Sequence, residues 1–330
     1  MSMQCYSIRQ TDPALNLALE EVLYRRLGPG FPGCFLLWQN APSVIVGRHQ
    51  NTWEEVDTAW LAERKLPVVR RNTGGGAVYH DLGNLNFSFM EYAPERSRVD
   101  FARYLEPVCA ALARLGVAAR LTGRNDLETG GRKISGSAQS LRAGRVLHHG
   151  TLLVDLDFED MLAALSVDPE KYRSKGVASV RARVTNISEC WQPGSTMDDL
   201  RAALAACCAP ESVPRDVPED ALREAERLAE EKYRTWEWNF GRSPAFSERR
   251  RQRFPWGLVD VLLDVRKGVI ESCRIHGDFF AAADVRELED RLTGVRDEPQ
   301  ALRQAVRDVD WEACFSGCDP EVMQNFFTHG

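Results

Sequence analysis

The sequence predicts an α+β chain of two unequal domains, a larger one on a mostly antiparallel sheet and a small α+β domain at the C-terminus. Three observations carry this. With 330 residues, 44% of them hydrophobic, the chain can bury a large core but exceeds what one core usually holds. Its short apolar runs are joined by spacers too short for the crossovers that parallel strands need. After a basic connector, Arg249 to Arg253, a separate hairpin and helix pattern begins. The boundary is expected near 243, giving domains 1–243 and 244–330.

Taken in order, Asp12-Pro13 followed by Leu15, Leu19, Val22 and Leu23 reads as a capped amphipathic helix ending before Gly28-Pro29-Gly30. Cys34 to Trp38 and Ser43 to Val46 read as a strand pair joined by a tight turn at Asn40-Ala41-Pro42. Val56 to Lys65 is a helix, and Pro67 to Arg70 a strand. The β pattern resumes at Ala77 to His80 and Leu85 to Met90, around Asp81-Leu82-Gly83. Phe101 to Leu115 is helical, Val117 to Leu121 extended, and Arg132 to Gln139 with Val146 to Val154 forms a strand pair around Ala143-Gly144. Residues 166–186 form a polar loop long enough to be a lid. Asp198 to Cys208 and the charged Pro218 to Tyr233 are helices, the second with a solvated face. Trp236 and Trp238 share a face if extended and pack at the domain junction. A hairpin, Leu258 to Val265 and Val269 to Ile275, is followed by helices near 284–292, 299–307 and 319–327.

The formal net charge is −6, from 42 basic and 48 acidic residues. Such a balance offers no basic face for unselective phosphate-backbone binding, so no nucleic-acid partner is expected. The longest apolar stretches, Cys34 to Trp38 and Gly257 to Val265, fall far below the roughly 20 residues that span a bilayer, and no membrane partner is expected either. Met1 to Gln10 lacks a secretory pattern, which predicts a cytoplasmic protein whose nine cysteines remain thiols. Arginine outnumbers lysine 36 to six, so each lysine is a rare choice.

The densest chemical signal is Arg70-Arg71-Asn72-Thr73-Gly74-Gly75-Gly76-Ala77-Val78-Tyr79-His80-Asp81. Three glycines let backbone N–H groups approach a ligand, and two arginines supply fixed positive charge. It matches neither a P-loop nor a dinucleotide fingerprint. A glycine-rich hairpin with solvated arginines is the plainer reading, and the flanking Arg and His-Asp pairs favour a binding loop. A second signal is Arg124-Asn125-Asp126-Leu127 with Arg132-Lys133-Ile134-Ser135-Gly136-Ser137-Ala138. On a strand, Lys133, Ser135 and Ser137 share one face, and a lysine there can stabilise charge as a carboxylate attacks ATP. Of His148 and His149, at most one faces the site.

These segments, with His148-His149-Gly150-Thr151-Leu152-Leu153, Ser179 to Asn186, and Trp236-Glu237-Trp238-Asn239-Phe240-Gly241 through Phe246, resemble the lipoate-protein ligases in order and spacing. The resemblance implies a class II aminoacyl-tRNA synthetase-like biotinyl/lipoyl ligase catalytic domain with a small α+β accessory domain. It implies ATP as cofactor, lipoate or octanoate as substrate, and lipoyl-AMP as intermediate; Mg²⁺ is expected to accompany ATP, since two anions must be brought together. Expected acceptors are apo lipoyl domains of 2-oxoacid dehydrogenase E2 subunits and the glycine cleavage H protein.

By position, Lys133 corresponds to the catalytic lysine that touches both lipoyl carbonyl and phosphate. Arg70, Arg71, Gly74, Gly75, Gly76, Ala77, Val78, Tyr79, Asn125, Asp126, Ser137 and His149 are the expected binding residues. Metal ligands stay unassigned, with Asp126 the nearest carboxylate. Val46, Ala77 and Val78 are the expected lining of an apolar slot, and the segment from Lys175 to Arg183 the part that closes over the adenylate. Common members carry Ser-Ser where this chain has Asn72-Thr73, and Phe where it has Tyr79. The rival reading is a transferase acting on preformed lipoyl-AMP or, through a cysteine, on a carrier-bound acyl group; Cys190 is the candidate.

Overall fold

Every residue of the strand Gly33–Trp38 (β2) is buried, which puts it inside a sheet with helices on both faces. In the computed structural model, which describes residues 3–31, 33–96, 98, 100–123, 125–165, 182–241 and 246–329, β2 lies second in a seven-stranded sheet. The first strand Gln4–Ser7 pairs with it in parallel, and Asn84–Tyr92 pairs with it antiparallel on the other side. The sheet continues through Arg145–Leu153, Arg132–Arg142, Asp126–Thr129 and Arg120–Thr122, all antiparallel.

Alternation along β2 divides the core. Cys34, Leu36 and Trp38 pack beneath the helix Pro13–Arg26 (α1), and Phe35 and Leu37 pack beneath the helices Ala102–Arg114 and Met197–Cys208. Burying each such side chain contributes about 1.5–3 kcal/mol. Asp12 caps α1 through Ala14 N–H at 2.9 Å, with Pro13 in the first turn. This helix is not simply amphipathic, because Asn16, Glu20 and Glu21 are buried along with Leu17, Leu19 and Leu23.

A second, three-stranded sheet packs beside the first: Val68–Arg70, Ser43–Val46, Val78–His80 in spatial order. The expected pairing of Cys34–Trp38 with Ser43–Val46 therefore fails. Ser43 pairs with His80, not with the preceding strand. Asn40-Ala41-Pro42 is a corner between sheets, pinned where Asn16 donates to Asn40 Oδ1 at 2.9 Å and Asn40 Nδ2 lies 3.0 Å from His80 Nδ1. Asp81-Leu82-Gly83 returns the chain to the large sheet.

The basic stretch Arg249 to Arg253 is not a connector. It lies in the edge strand Glu248–Phe254 of a third sheet, with Gly257–Arg266 and Val269–Gly277. Its arginines discourage pairing at that edge and reach carboxylates: Arg249 to Asp260 at 2.6 Å, Arg250 to Asp297 at 2.5 Å, Arg251 to Glu54 at 2.8 Å. Helices Arg286–Leu292, Pro299–Ala305, Trp311–Cys314 and Pro320–His329 cover this sheet around their own core, which includes Cys314 and Cys318. Trp236 to Asn239 is a short helix rather than an extended segment. The charged helix Glu219–Leu228 lays Ala221 and Ala225 against α1 and ends in a π turn, Ala229–Tyr233, whose last residue is fully buried. Its final turn is thus not a solvated face. All nine cysteines are free thiols, and among the described residues no helix is long and apolar enough to cross a membrane.

His148 is enclosed by Tyr104, Phe87, Phe89 and Phe101. Burial, with a smaller contribution from His149, holds its pKa well below the ordinary value. The unfolded chain titrates near pH 6.5, so acidification through that value should cost about 1.4 kcal/mol per pH unit for this group. His148→Phe should flatten the fall of Tm between about pH 7 and about pH 5; an unchanged slope contradicts the assignment.

Candidate active site

The loop 71–76 takes its shape from one buried guanidinium. Arg71 donates through Nη2 to the carbonyls of Gly74 and Gly76, both at 2.7 Å, through Nη1 to Ile45 O at 3.2 Å, and through Nε to Thr73 Oγ1 at 3.2 Å. Burial brings its pKa down to about 10 against the opposing pull of Glu20, so it stays charged at neutral pH. Gly75 has φ +88, and a Cβ there would lie 3.0 Å from Arg71 Nη2 and 3.3 Å from the Phe280 ring. At Gly74 a Cβ would come within 2.0 Å of the Phe279 carbonyl. The absence of side chains thus lets the C-terminal unit press on the loop from outside while Arg71 holds it from inside.

Thr73 passes the loop's position to the large sheet. His149 Nε2 is 2.6 Å from Thr73 Oγ1, and its Nδ1 is 2.8 Å from Glu20 Oε1. With Nδ1–H donating to Glu20, Nε2 accepts from the Thr73 hydroxyl. Ser88 donates to the same carboxylate oxygen at 2.6 Å, and Trp38 Nε1 donates to Ser88 at 2.9 Å. Around this network lies a cavity of about 170 Å³ lined by the apolar groups Leu17, Trp38, Ile45, Ala77, Val78 and Ala138 and by Arg71, His80, Asn86, Asn125, Lys133 and His149. Burial, then Arg71 and His149, lowers His80 to about 3, which keeps it neutral.

Lys133 stands at the mouth. Its Nζ is 2.8 Å from Asp126 Oδ1, and it lines not only the apolar cavity but two more, a polar one of about 380 Å³ and one of mixed lining of about 520 Å³. The polar one lies between Gly75, Gly76, Asn125 and Asp126 and the C-terminal residues Arg253, Trp256 and Asp278. The second is lined by Met161, Ala182, Arg183 and Val184. Lys133 N–H donates to Arg183 O at 2.8 Å and Thr185 N–H to Lys133 O at 3.0 Å, so the end of the expected lid segment is stitched to the lysine's own strand. The rest of that segment, from Lys175, lies outside the described residues, as does Arg124.

Comparison with known proteins fits this arrangement. Residues 12–209 match the family model for the lipoyl protein ligase A/B catalytic domain, and residues 243–327 that for the bacterial lipoate protein ligase C-terminus. The lipoate-protein ligase LplJ of Bacillus subtilis is 42% identical over 94% of this chain and 95% of its own. The chain belongs to the lipoate-protein ligase family. LipL1 of P. falciparum, solved in complex with lipoate, shares the fold with a TM-score of 0.77 at 24% identity, covering 93% of this chain and 94% of its own. A lipoate-protein ligase A solved with ATP has a TM-score of 0.63 at 30% identity, over 73% of this chain and 99% of its own.

In this member of the lipoate-protein ligase family, the expected residues divide by position. Arg71, Gly75, Gly76, Ala77, Val78, Asn125, Lys133, Ser137 and His149 line the apolar cavity, and Asp126 lines the other two. Gly74 faces a different cavity on the loop's other side. Arg70 is a correction. It is fully buried, and its guanidinium donates to the carbonyls of Gly47, Arg48, Gln50, Trp238 and Asn239 and to Thr52 Oγ1. No donor is left for a ligand; the residue supports the loop's base. The Tyr79 side chain lies in the core with Val44, Val46 and Phe158, and its hydroxyl donates to Asp160 at 3.3 Å, which leaves its backbone to face the loop. Val46 joins the same core, and Ile45 lines the cavity instead.

The shared face of Lys133, Ser135 and Ser137 is also overturned. A bulge pairs Leu127 with Ser135 but Glu128 with Lys133. Adjacent residues 127 and 128 face opposite ways, so their partners do too. Ser135 is buried away from the cavity, beside Ile134 and Leu127 in burial. Residues the sequence reading missed, Leu17, Glu20, Trp38 and Asn86, come from separate segments and carry no local signal.

Gly75→Ala should cost about 1–3 kcal/mol of stability from its left-handed backbone and weaken lipoate binding about tenfold or more by displacing the loop. Denaturant unfolding and titration calorimetry read both; wild-type affinity in the variant contradicts the loop's role.

Proposed function

We propose that the protein activates lipoate with ATP and transfers the lipoyl group to a lysine of lipoyl domains, with catalysis confined to residues 1–243 and an accessory domain from 244. The observation that carries this is the position of Lys133, where the apolar cavity meets a polar one. An acid with a long apolar tail places its tail between Leu17, Trp38, Ile45 and Val78 and its carboxylate at the mouth. A nucleotide fits the polar cavity beneath Arg253 and Trp256, beside Gly75 and Gly76.

In the first step a lipoate oxygen attacks the α-phosphorus of ATP, the bond to the β-phosphate oxygen breaks, and pyrophosphate leaves. Lys133 Nζ, held by Asp126, lies against the negative charge that develops between carboxylate and phosphate. Arg71 keeps the loop amides in place and contributes its charge from within. Among the described residues no group of three or more potential ligands gathers as a metal site. Mg²⁺ carried with ATP needs only one or two protein carboxylates, which fits Asp126, and would neutralise phosphate charge there. In the second step the acceptor amine attacks the lipoyl carbonyl, AMP leaves, and the amine loses a proton. The acceptors are the lipoyl domains of E2 subunits and the glycine cleavage H protein, and the setting is the cytoplasm.

Transfer through a cysteine is disfavoured because no cysteine lines these three cavities; Cys190 packs at the edge of the core under the sheet. Transfer from preformed lipoyl-AMP would leave ATP intact. Incubation with lipoate, Mg-ATP and an apo lipoyl domain should release pyrophosphate without acyl carrier protein. Lys133→Ala should slow adenylate formation about 100-fold or more. Its ion pair is half exposed, so Tm should stay within about 2 °C. Wild-type turnover in that variant, or no pyrophosphate from the wild type, overturns the reading.

A further inference from the structure

The loop 71–76 is gripped by two adjacent carboxylates of α1. Glu20 reaches Thr73 through His149, as described above. Glu21 reaches the preceding residue directly: Asn72 Nδ2 donates to Glu21 Oε2 at 2.8 Å. The same oxygen accepts from Lys232 Nζ at 2.7 Å and from the Tyr233 hydroxyl at 2.5 Å. Lys232 also donates to Asn72 Oδ1 at 2.9 Å. Both ends of the Asn72 amide are therefore bound, one by an anion and one by a cation, and its orientation is determined.

Lys232 holds the loop on its other flank as well. Its ammonium lies 3.9 Å from the centre of the Trp238 ring, and Trp238 Nε1 donates to the carbonyl of Arg70 at 2.8 Å. One cation thus secures the residues immediately before and after Arg71. The chain uses lysine sparingly, six against 36 arginines, and the reaction as derived does not consume this one. A cavity of about 410 Å³, lined by Lys232, Glu21, Arg48, Asn72 and Gly74 among others, gives it a route to water.

We propose that Lys232 is a positioning residue for lipoate activation: acting through Asn72 and Trp238, its charged form fixes the loop that shapes the lipoate head-group site. This rests on the activation reading above. Displacing such a loop by about 1 Å can cost about two orders of magnitude in rate. The charged and titratable groups around Lys232 are Glu21, Tyr24 and Arg25 on α1, Arg48 and His49 after the strand Ser43–Val46, and Arg142, Asp284 and Arg286 around the same cavity. Burial opposes ionisation of Glu21, but Lys232 and the hydrogen bonds from Lys232, Tyr233 and Asn72 bring it down to about 2. Burial lowers Lys232, Glu21 restores part of the loss, and Arg48 and Arg25 lower it further, leaving about 8. Tyr233 is pushed well above its ordinary value, first by burial. Between neutrality and mild alkali Lys232 is the group of this cluster that changes charge.

The test is the adenylation half-reaction of the full chain, read as pyrophosphate release without acceptor, from about pH 6.5 to about pH 9.5. Wild type should lose kcat/KM for lipoate on the alkaline side with a midpoint near pH 8. Lys232→Arg, which stays charged, should remove that limb. Lys232→Met should lower kcat/KM for lipoate about tenfold or more at neutral pH and leave no limb. Wild-type kcat/KM in Lys232→Met, or the same alkaline midpoint in Lys232→Arg, overturns the proposal. If Lys232→Met does not fold, the Lys232→Arg profile decides alone. Failure of the activation reading looks different: wild type releases no pyrophosphate at any pH, which overturns both.

Discussion

A guanidinium taken out of water is costly unless its donors are satisfied, and Arg71 carries that cost into the centre of the site. Its answer is a ring of oxygens from the chain around it: the carbonyls of Ile45, Gly74 and Gly76 and the hydroxyl of Thr73. The glycine loop is folded around the charge, so its conformation is set before any ligand arrives. Glycine is needed because the loop is confined on two sides, by Arg71 within and by Phe279 and Phe280 of the C-terminal unit without. Gly277 N–H donating to His49 O at 2.8 Å and the His49 to Phe279 ring stack at 4.8 Å hold that unit against the same loop.

Two consecutive carboxylates on one helix extend this constraint into the body of the protein. Glu20 and Glu21 sit where hydrophobic residues would ordinarily lie, and each is bound by several donors. A polar network that is fully satisfied specifies one geometry, whereas an apolar core of the same volume would tolerate several. The WEWN segment belongs to the same design. Asn239 accepts from Arg70 N–H at 2.8 Å, and the Trp238 and Asn239 carbonyls receive the Arg70 side chain. Arg70 and Arg71 are neighbours with opposite tasks, one bracing the base of the loop and the other filling its interior.

Much of this was legible because it is local. The hairpin Arg132–Arg142 with Arg145–Leu153, the capped α1, the glycine run and the singular Lys133 all announce themselves within short windows of sequence. What was not legible depends on contacts between distant segments. Which of two adjacent arginines meets the cavity is decided by the 47–52 and 238–239 carbonyls, far from both in sequence. That Asn40-Ala41-Pro42 joins two sheets rather than two paired strands depends on Asn16 and His80. One extra residue at the Leu127/Glu128 bulge reversed the face assigned to Ser135, since a period of two has no tolerance for insertion. Arg249 to Arg253 looked like a linker because charges on an edge strand remove the apolar alternation by which strands are recognised.

The account stands on a single geometry: an apolar tail enclosed below the glycine loop, with the activated carbonyl at Lys133. A crystal structure of the protein with lipoyl-adenylate, or a stable analogue of it, measures this directly. The tail should lie between Trp38, Ile45 and Val78, the carbonyl and phosphate oxygens within hydrogen-bond reach of Lys133 Nζ, and the Arg71 bonds to Gly74 and Gly76 should persist. An adenylate seated elsewhere, or a Lys133 ammonium remote from the reacting atoms, would contradict it.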